Sequence, residues 1–232
     1  LFRDAYLEHE TLSGATRYLV NELFGEHGLV ILDADHPELK SLFIPHMEED
    51  LSTQRAHRAV HATAEALTAL DPRYPQQVTP REVNLFYLYE DGRSRIVRKD
   101  TGYAVLDTNI SFSESALREE LQAYPERFSP NVITRPLYQE VILPNICYIG
   151  GGGELAYWLE LKDYFDKSEV LFPILLLRNS ALFLSRKQNQ KAAKLGLDIR
   201  ELFLPQNTLI NRKVRQISNI DIDLSTQREH LK

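Results

Sequence analysis

The sequence predicts an α/β fold: a parallel sheet flanked by helices and carrying a small antiparallel insertion. Three observations lead there. Cys147-Tyr148-Ile149, four consecutive glycines (Gly150, Gly151, Gly152, Gly153) and the helical pattern that starts at Glu154 read as strand, tight turn and helix. Leu171 to Leu177 is a second apolar run, so the stretch forms a strand–helix–strand unit, for which the crossover is right-handed by rule. From residue 83 the period changes to the alternation of a hairpin, with Glu90-Asp91-Gly92-Arg93 as its turn.

Composition narrows the class. The chain has 232 residues, of which 43% are hydrophobic and 26% charged, the proportions of an ordinary globular protein. A net charge of −6 argues against a general nucleic-acid binder. No apolar run approaches the ~18 residues that a membrane helix needs, and no signal-peptide pattern opens the chain, so a cytoplasmic location and no membrane partner are expected. The single cysteine excludes an internal disulfide, and Cys147 itself reads as strand core. The first residue is Leu1 and Asp223–Lys232 is polar and helix-prone, which suggests a segment of a longer protein.

The elements follow in order. Thr11 to Phe24 has helical spacing, with Thr11 or Ser13 as cap and Gly25 as stop. Gly28 to Leu32 is continuously apolar, as in a buried parallel strand, and ends at Asp33. Ligands bind at the carboxyl ends of such strands, which makes Asp33 a site candidate; Asp35 is placed to cap the next helix. Pro45 to Leu70 reads as one long helix. Its His57, His61 and Glu65 share a side, but a solvated face is the better reading and no metal site is expected. Asp71 to Arg81 holds Pro72, Pro75 and Pro80 and is a loop. Ser113 caps a helix carrying Leu117 and Leu121. The expected division is 1–82 with the long helix, 83–112 as antiparallel insertion, 113–222 as the half with the glycine turn, and 223–232 as the start of a further helix.

The candidate site surrounds the glycines. A turn without Cβ atoms lets backbone N–H groups approach a ligand, and the amides that open a helix lack internal partners, which suits an anion. Glu154 either caps that helix or selects an amine or a metal-bound phosphate. Pro136 starts a helix at whose entrance Arg135 lies beside Asn131, Tyr138 and Gln139, a group of convergent donors. Arg178 and Asn179 end the second strand, where an arginine can grip a carboxylate or phosphate in two places. Tyr157 and Trp158 are pocket walls or core. An architectural reading stays open for each: a packing turn for the glycines, a Glu140 partner for Arg135, helix-end carbonyls for Arg178. From Arg178 to Arg215 nine Lys or Arg face Asp198 and Glu201, which suits a polyanionic ligand or an acidic partner surface, or a solvated helical face.

The runs Phe128-Ser129-Pro130-Asn131-Val132, Arg135-Pro136-Leu137-Tyr138-Gln139-Glu140, Leu143-Pro144, and Tyr148-Ile149-Gly150-Gly151-Gly152-Gly153-Glu154-Leu155-Ala156-Tyr157-Trp158-Leu159-Glu160-Leu161-Lys162 closely resemble the bacillithiol-biosynthesis cysteine-adding enzymes, the BshC family. Asn21-Glu22-Leu23-Phe24-Gly25, Gly28-Leu29-Val30 and Val83-Asn84-Leu85-Phe86-Tyr87 resemble the same family. The resemblance implies a Rossmann-like core related in plan to class I aminoacyl-tRNA synthetases, and a carboxy-terminal coiled coil through which the parent protein dimerises. It implies addition of cysteine to glucosaminyl-malate with formation of an amide. Amide chemistry itself requires an activated carboxyl, for which ATP is a candidate cofactor; the resemblance does not specify the activation. On that reading the glycine amides, Arg135 and Arg178 hold phosphate or malate carboxylates, and Glu154 or Asp33 engages the amine or a metal. The segment is expected to lack the family's amino-terminal portion and its coiled coil. The alternative is a non-catalytic nucleotide- or sugar-phosphate-binding domain, or a dimer-assembly module.

Overall fold

The computed structural model describes residues 1–90 and 92–218, and the chain divides into two compact units, Leu1–Arg178 and Asn179–Lys232. The first unit opens with helices α1 (Phe2–Leu7) and α2 (Leu12–Phe24). Thr11 Oγ1 accepts the Gly14 amide at 3.1 Å and so caps α2. A 3₁₀ turn, Gly25–His27, carries the chain to Gly28, whose φ of +79° is the left-handed stop. The strand expected at Gly28–Leu32 is absent. That run is irregular, and Leu29, Val30 and Leu32 are exposed. Apolar residues make a strand only where a neighbour supplies the ladder, and among the described residues none pairs with this run.

Three helices follow: α3 (Pro37–Ser41), α4 (Ile44–Thr53) and α5 (Arg55–Leu70). The single helix expected from Pro45 to Leu70 is therefore two. Gln54 sits in the left-handed region at φ +53°, donates its N–H to Asp50 O, and ends α4 while starting α5. The break turns the alanine face of α5 (Ala56, Ala59, Val60) into the same core as Phe43, Met47 and Leu51.

The antiparallel part is larger than expected. Strands β1 (Leu85–Tyr89), β2 (Gly92–Lys99), β3 (Gly102–Val105) and β4 (Ser111–Phe112) lead to α6 (Glu114–Ala123), capped by Ser113, and then to β5 (Phe128–Pro130). They form one sheet in the order β4-β3-β2-β1-β5. β2 changes neighbours along its length: Gly92 to Arg95 pair with β1, whereas Ile96 to Lys99 pair with β3.

The remaining elements are α7 (Arg135–Ile142), β6 (Cys147–Gly150), α8 (Gly152–Glu160), α9 (Lys162–Lys167) and β7 (Ile174–Leu177). β6 and β7 pair in parallel, from Cys147 opposite Ile174 to Gly150 opposite Leu177, as the strand–helix–strand pattern requires. Tyr148 and Leu175 face the core; Ile149, Ile174 and Leu176, on the other face, are exposed, and Cys147 beside them is half-buried rather than core. Trp158 is fully buried, its ring stacked on Tyr148 at 4.0 Å between centroids and packed on Phe165 and Phe172. It is a core residue, not a pocket wall, because the apolar stripe of α8 continues through Leu161 to Tyr164 and Phe165 on α9.

In the second unit Ser185 and Gln188 exchange hydrogen bonds (Gln188 N–H to Oγ at 3.3 Å, Ser185 N–H to Oε1 at 2.8 Å), a capping box that starts α10 (Arg186–Lys194). After a 3₁₀ turn at Ile199–Phe203 comes α11 (Gln206–Ile217), with Ile210, Val214 and Ile217 exposed at i, i+4 and i+7. The helix expected at 223–232 lies outside the described residues. Among those described, no helix is long and apolar enough to cross a membrane.

Candidate functional site

The glycine corner is built by local constraints. Gly150 is buried, its carbonyl accepts the Arg178 N–H at 2.9 Å, and a Cβ there would lie 2.7 Å from the Tyr148 ring. Strand pairing thus brings Arg178 to the start of α8. Glu154 Oε2 accepts the Gly151 N–H at 2.7 Å and Oε1 accepts the Tyr148 hydroxyl at 3.2 Å. The Gly151 amide holds the Glu154 carboxyl below its ordinary range, with Tyr148, Arg178 and Arg135 acting in the same direction. Of the two roles open to Glu154 in the sequence, capping is the one seen. An ionised carboxylate with a lowered pKa is a poor general base, but it remains a good anchor for an ammonium group.

The next amides are open. Among the described residues the N–H groups of Gly152, Gly153 and Glu154 have no hydrogen-bond partner, and Gly152 and Gly153 are exposed with empty space where a Cβ would stand. They sit at the positive end of the α8 dipole. The Arg178 guanidinium lies across Gly151, so close that a Cβ there would meet Nη2 at 3.1 Å and Cζ at 3.3 Å. Arg135 reaches the same side indirectly: Nη2 donates to the Tyr157 hydroxyl at 3.0 Å and Nη1 to Gln139 Oε1 at 3.1 Å. Gly151, Gly152, Gly153, Glu154, Tyr157 and Arg178 line one open cleft of about 790 Å³.

The opposite wall was not legible as a site in the sequence. Gln77, Val78, Thr79 and Arg81 of the proline loop complete the lining, with Val132. Two contacts hold that loop against α8: Tyr74 donates to Ala156 O at 2.6 Å, and the buried Glu160 carboxylate accepts the Gln77 N–H at 2.7 Å. Burial pushes Glu160 above the usual carboxylate range. Arg81 is held by Asn84, which accepts the Arg81 N–H at Oδ1 (3.0 Å) and donates to its carbonyl (2.7 Å). The same Asn84 accepts the Asn131 side chain at 3.1 Å, and its carbonyl accepts Thr134 Oγ1 at 2.8 Å. Asn84 therefore sets both the loop bearing Arg81 and the turn bearing Arg135. Nothing in a lone Asn within a strand-like run signals this.

Several predicted residues lie elsewhere. Asp33 does not line the cleft; it accepts the Ser13 hydroxyl at 2.7 Å and the Asp35 N–H at 3.1 Å, and the Ser13 bond is the largest cause of its lowered pKa. Tyr138 is buried against Phe43 and donates to Ala34 O at 2.7 Å, its pKa pushed up to about 12 by burial. Asn131 spends its side chain on Asn84 and on the Ile133 and Thr134 amides, so it shapes the turn. Gln139 steadies Arg135 without lining the cleft, and Glu140 is not the Arg135 partner, since it accepts Asn145 N–H at 2.8 Å. Asn179 opens the second unit. His57 and His61 meet edge to face at 4.6 Å, but no group of three or more His, Cys, Asp or Glu among the described residues is arranged to hold a metal.

Residues 1–179 match the family model described as the bacillithiol biosynthesis BshC N-terminal Rossmann-like domain, and residues 181–232 match the BshC C-terminal coiled-coil domain. The second match takes in residues 181–222, which the sequence pattern assigns to the half with the glycine turn, and it shows that coiled-coil sequence of the family, expected to be lacking, is present in part. A protein of Christiangramia forsetii named "putative cysteine ligase BshC" is 56% identical over 230 residues, covering 99% of this chain and 42% of that protein. One of Flavobacterium johnsoniae with the same name is 51% identical over 232 residues, 100% of this chain and 43% of the relative. A Bacillus thuringiensis protein so named is 33% identical over 195 residues, 81% of this chain and 35% of its own. The chain thus spans less than half the length of these relatives, and over that span it belongs to the BshC family, with a Rossmann-like domain followed by coiled-coil sequence.

Proposed function

We propose that this chain forms the substrate-holding corner of a ligase that joins cysteine to glucosaminyl-malate through an amide bond. The observation that carries the reading is the convergence on one open cleft of three unpartnered amides, the Arg178 guanidinium and an ionised Glu154. The names of the relatives support the ligase class. An amide forms from a carboxyl and an amine only if the carboxyl is activated, and ATP is the activator we assign; when bound it supplies the leaving group.

Each residue has a task in this reading. The amides of Gly152, Gly153 and Glu154 with Arg178 hold a phosphate or carboxylate, using charge-assisted hydrogen bonds that need no reorganisation. Glu154, kept ionised, orients the ammonium group of a substrate. Arg135 locks the Tyr157 hydroxyl at the cleft wall. Holding amine and carboxyl in one cleft replaces a bimolecular encounter by near-attack geometry. The segment matching the coiled coil, with Ile210, Val214 and Ile217 along α11, provides the seam for a homodimer of the parent protein.

The test is a reaction of the full-length protein followed by mass spectrometry for the cysteinyl product and for AMP or ADP. Arg178→Gln should abolish product while the thermal melting temperature stays unchanged. Retained product formation would remove Arg178 and the glycine corner from the chemistry. A thermal shift of this chain by ATP or by cysteine would support the cleft as the binding site, and no shift with either would favour a purely assembling role.

A further inference from the structure

Arg135 does not line the glycine cleft, because its guanidinium is committed inside the fold. Nη1 donates to Gln139 Oε1 at 3.1 Å, and Gln139 Nε2 donates in turn to Glu140 Oε1 at 3.1 Å. The Glu140 carboxylate is buried and is fixed from its far side by the Asn145 N–H at 2.8 Å and the Asn145 side-chain amide at 3.1 Å. This chain anchors one branch of the guanidinium. The other branch, Nη2, donates to the Tyr157 hydroxyl at 3.0 Å.

A guanidinium has donors only, so the Tyr157 oxygen accepts in that bond and its own hydrogen must go elsewhere. Other tyrosines of the first unit spend their hydrogen internally: Tyr74 on Ala156 O, Tyr103 on Leu51 O, Tyr138 on Ala34 O, Tyr148 on Glu154. Tyr157 is the reverse case. Among the described residues its hydroxyl donates to nothing, although Tyr157 lines the cleft. Glu154, three positions earlier on α8, already accepts from Tyr148 and from the Gly151 amide. The hydroxyl stands at the glycine end of the cleft: burial and then Tyr157 and Glu154 raise the pKa of Tyr148, whose hydroxyl touches Glu154. An oxygen that accepts from a cation is polarised, which strengthens its O–H as a donor.

We propose that the Tyr157 hydroxyl donates its hydrogen to an oxygen of the anion held at the glycine corner, and that Arg135 is a positioning residue that aims this hydroxyl. The inference rests on the glycine cleft being the anion site. It adds a direction: acceptor oxygens of the ligand lie on the Tyr157 side, because a donor turned into the cleft leaves no place there for an ammonium group.

Calorimetric titration of this chain with inorganic phosphate tests it, in the parent and in Y157F, R135Q, Y157F/R135Q, R178Q and Y157F/R178Q, with melting temperatures as the check on folding. Y157F, which removes one oxygen and keeps the ring, should weaken phosphate about tenfold, the loss of one hydrogen bond to a charged group. R135Q should weaken the parent by a similar factor and leave Y157F within about twofold. R178Q should weaken parent and Y157F alike, since Arg178 meets the anion independently. Phosphate that binds Y157F as tightly as the parent while R178Q weakens it overturns the proposal and leaves the cleft reading standing. An R135Q loss that persists in the Y157F background shows Arg135 acting other than through the hydroxyl and overturns the positioning role. Phosphate that does not bind the parent, or is indifferent to R178Q, removes the glycine corner and this inference with it. Y157F decides the donor even where R135Q lowers the melting temperature.

Discussion

The buried carboxylate of Asp50 accepts two hydrogen bonds from one residue, Asn84: the backbone N–H at 2.6 Å and the side-chain amide at 3.1 Å. Both residues are within 1% of complete burial. Behind the cleft, this pair fixes the point from which the Arg81 loop and the Asn131–Arg135 turn diverge. Asn84→Ala should lower stability by roughly 3 kcal/mol or more, because it strands a buried carboxylate oxygen. Urea unfolding measures that loss. At temperatures where the variant is still folded, phosphate affinity at the cleft should fall as well; a stability loss without any change in binding would confine Asn84 to architecture.

Asp50 makes stability depend on pH. Burial pushes its carboxyl from 3.8 to about 6 despite the Asn84 bonds. Between those values the folded state keeps a proton that the unfolded state releases, so stability falls as pH rises. The contribution of this group is complete below about pH 4 and is lost as pH passes 6, a change on the order of 2–3 kcal/mol. Glu160 is raised in the same direction, so the comparison must be with Asp50→Asn, which removes the Asp50 part only. The difference in unfolding free energy between parent and variant should slope from pH 4 to 6.5; a flat difference would show that Asp50 titrates normally.

Three of the four glycines should respond differently to alanine. Gly153→Ala fits without contact and should raise stability by up to about 1 kcal/mol, while its methyl group obstructs a ligand approaching the free amides. Gly151→Ala pushes on the Arg178 guanidinium and should weaken phosphate binding at nearly unchanged stability. Gly150→Ala collides with Tyr148, whose ring stacks on Trp158, and should destabilise the fold. Melting temperatures together with phosphate titrations separate the three. Equal binding by all of them would mean that no ligand approaches this turn.

Glu154→Gln retains an oxygen for the Gly151 N–H and removes the charge. Its fold should survive, with about 1 kcal/mol or less lost from the helix cap. Because its carboxyl is held below the ordinary value, the stability it adds is present above pH 4.5 and disappears as pH falls through the lowered pKa; the variant should lose that acid dependence. In the proposed ligase reaction of the full-length protein, KM for the amine substrate should rise with kcat little changed. A fall in kcat at constant KM would instead make Glu154 a proton-transfer group.

The sequence by itself determined the strand–glycine–helix–strand unit, the hairpin, the caps at Thr11 and Ser113, and the position of Arg178 beside the glycines. These are local: periodicity, capping chemistry and the missing Cβ act over a few residues, and parallel pairing places the end of β7 beside the end of β6. Gly28–Leu32 misled because an apolar run does not state whether a neighbouring strand exists, and Trp158 because a helical stripe does not say which side faces the cleft. Only the tertiary structure decided that the proline loop forms the far wall, through Tyr74 and Glu160, and that Asn84 ties two arginine-bearing segments to Asp50. The Asn84–Asp50 and Glu160–Gln77 bonds join residues 34 and 83 positions apart. Their partners are chosen by which polar groups folding leaves buried together, a choice that leaves no periodic trace along the chain.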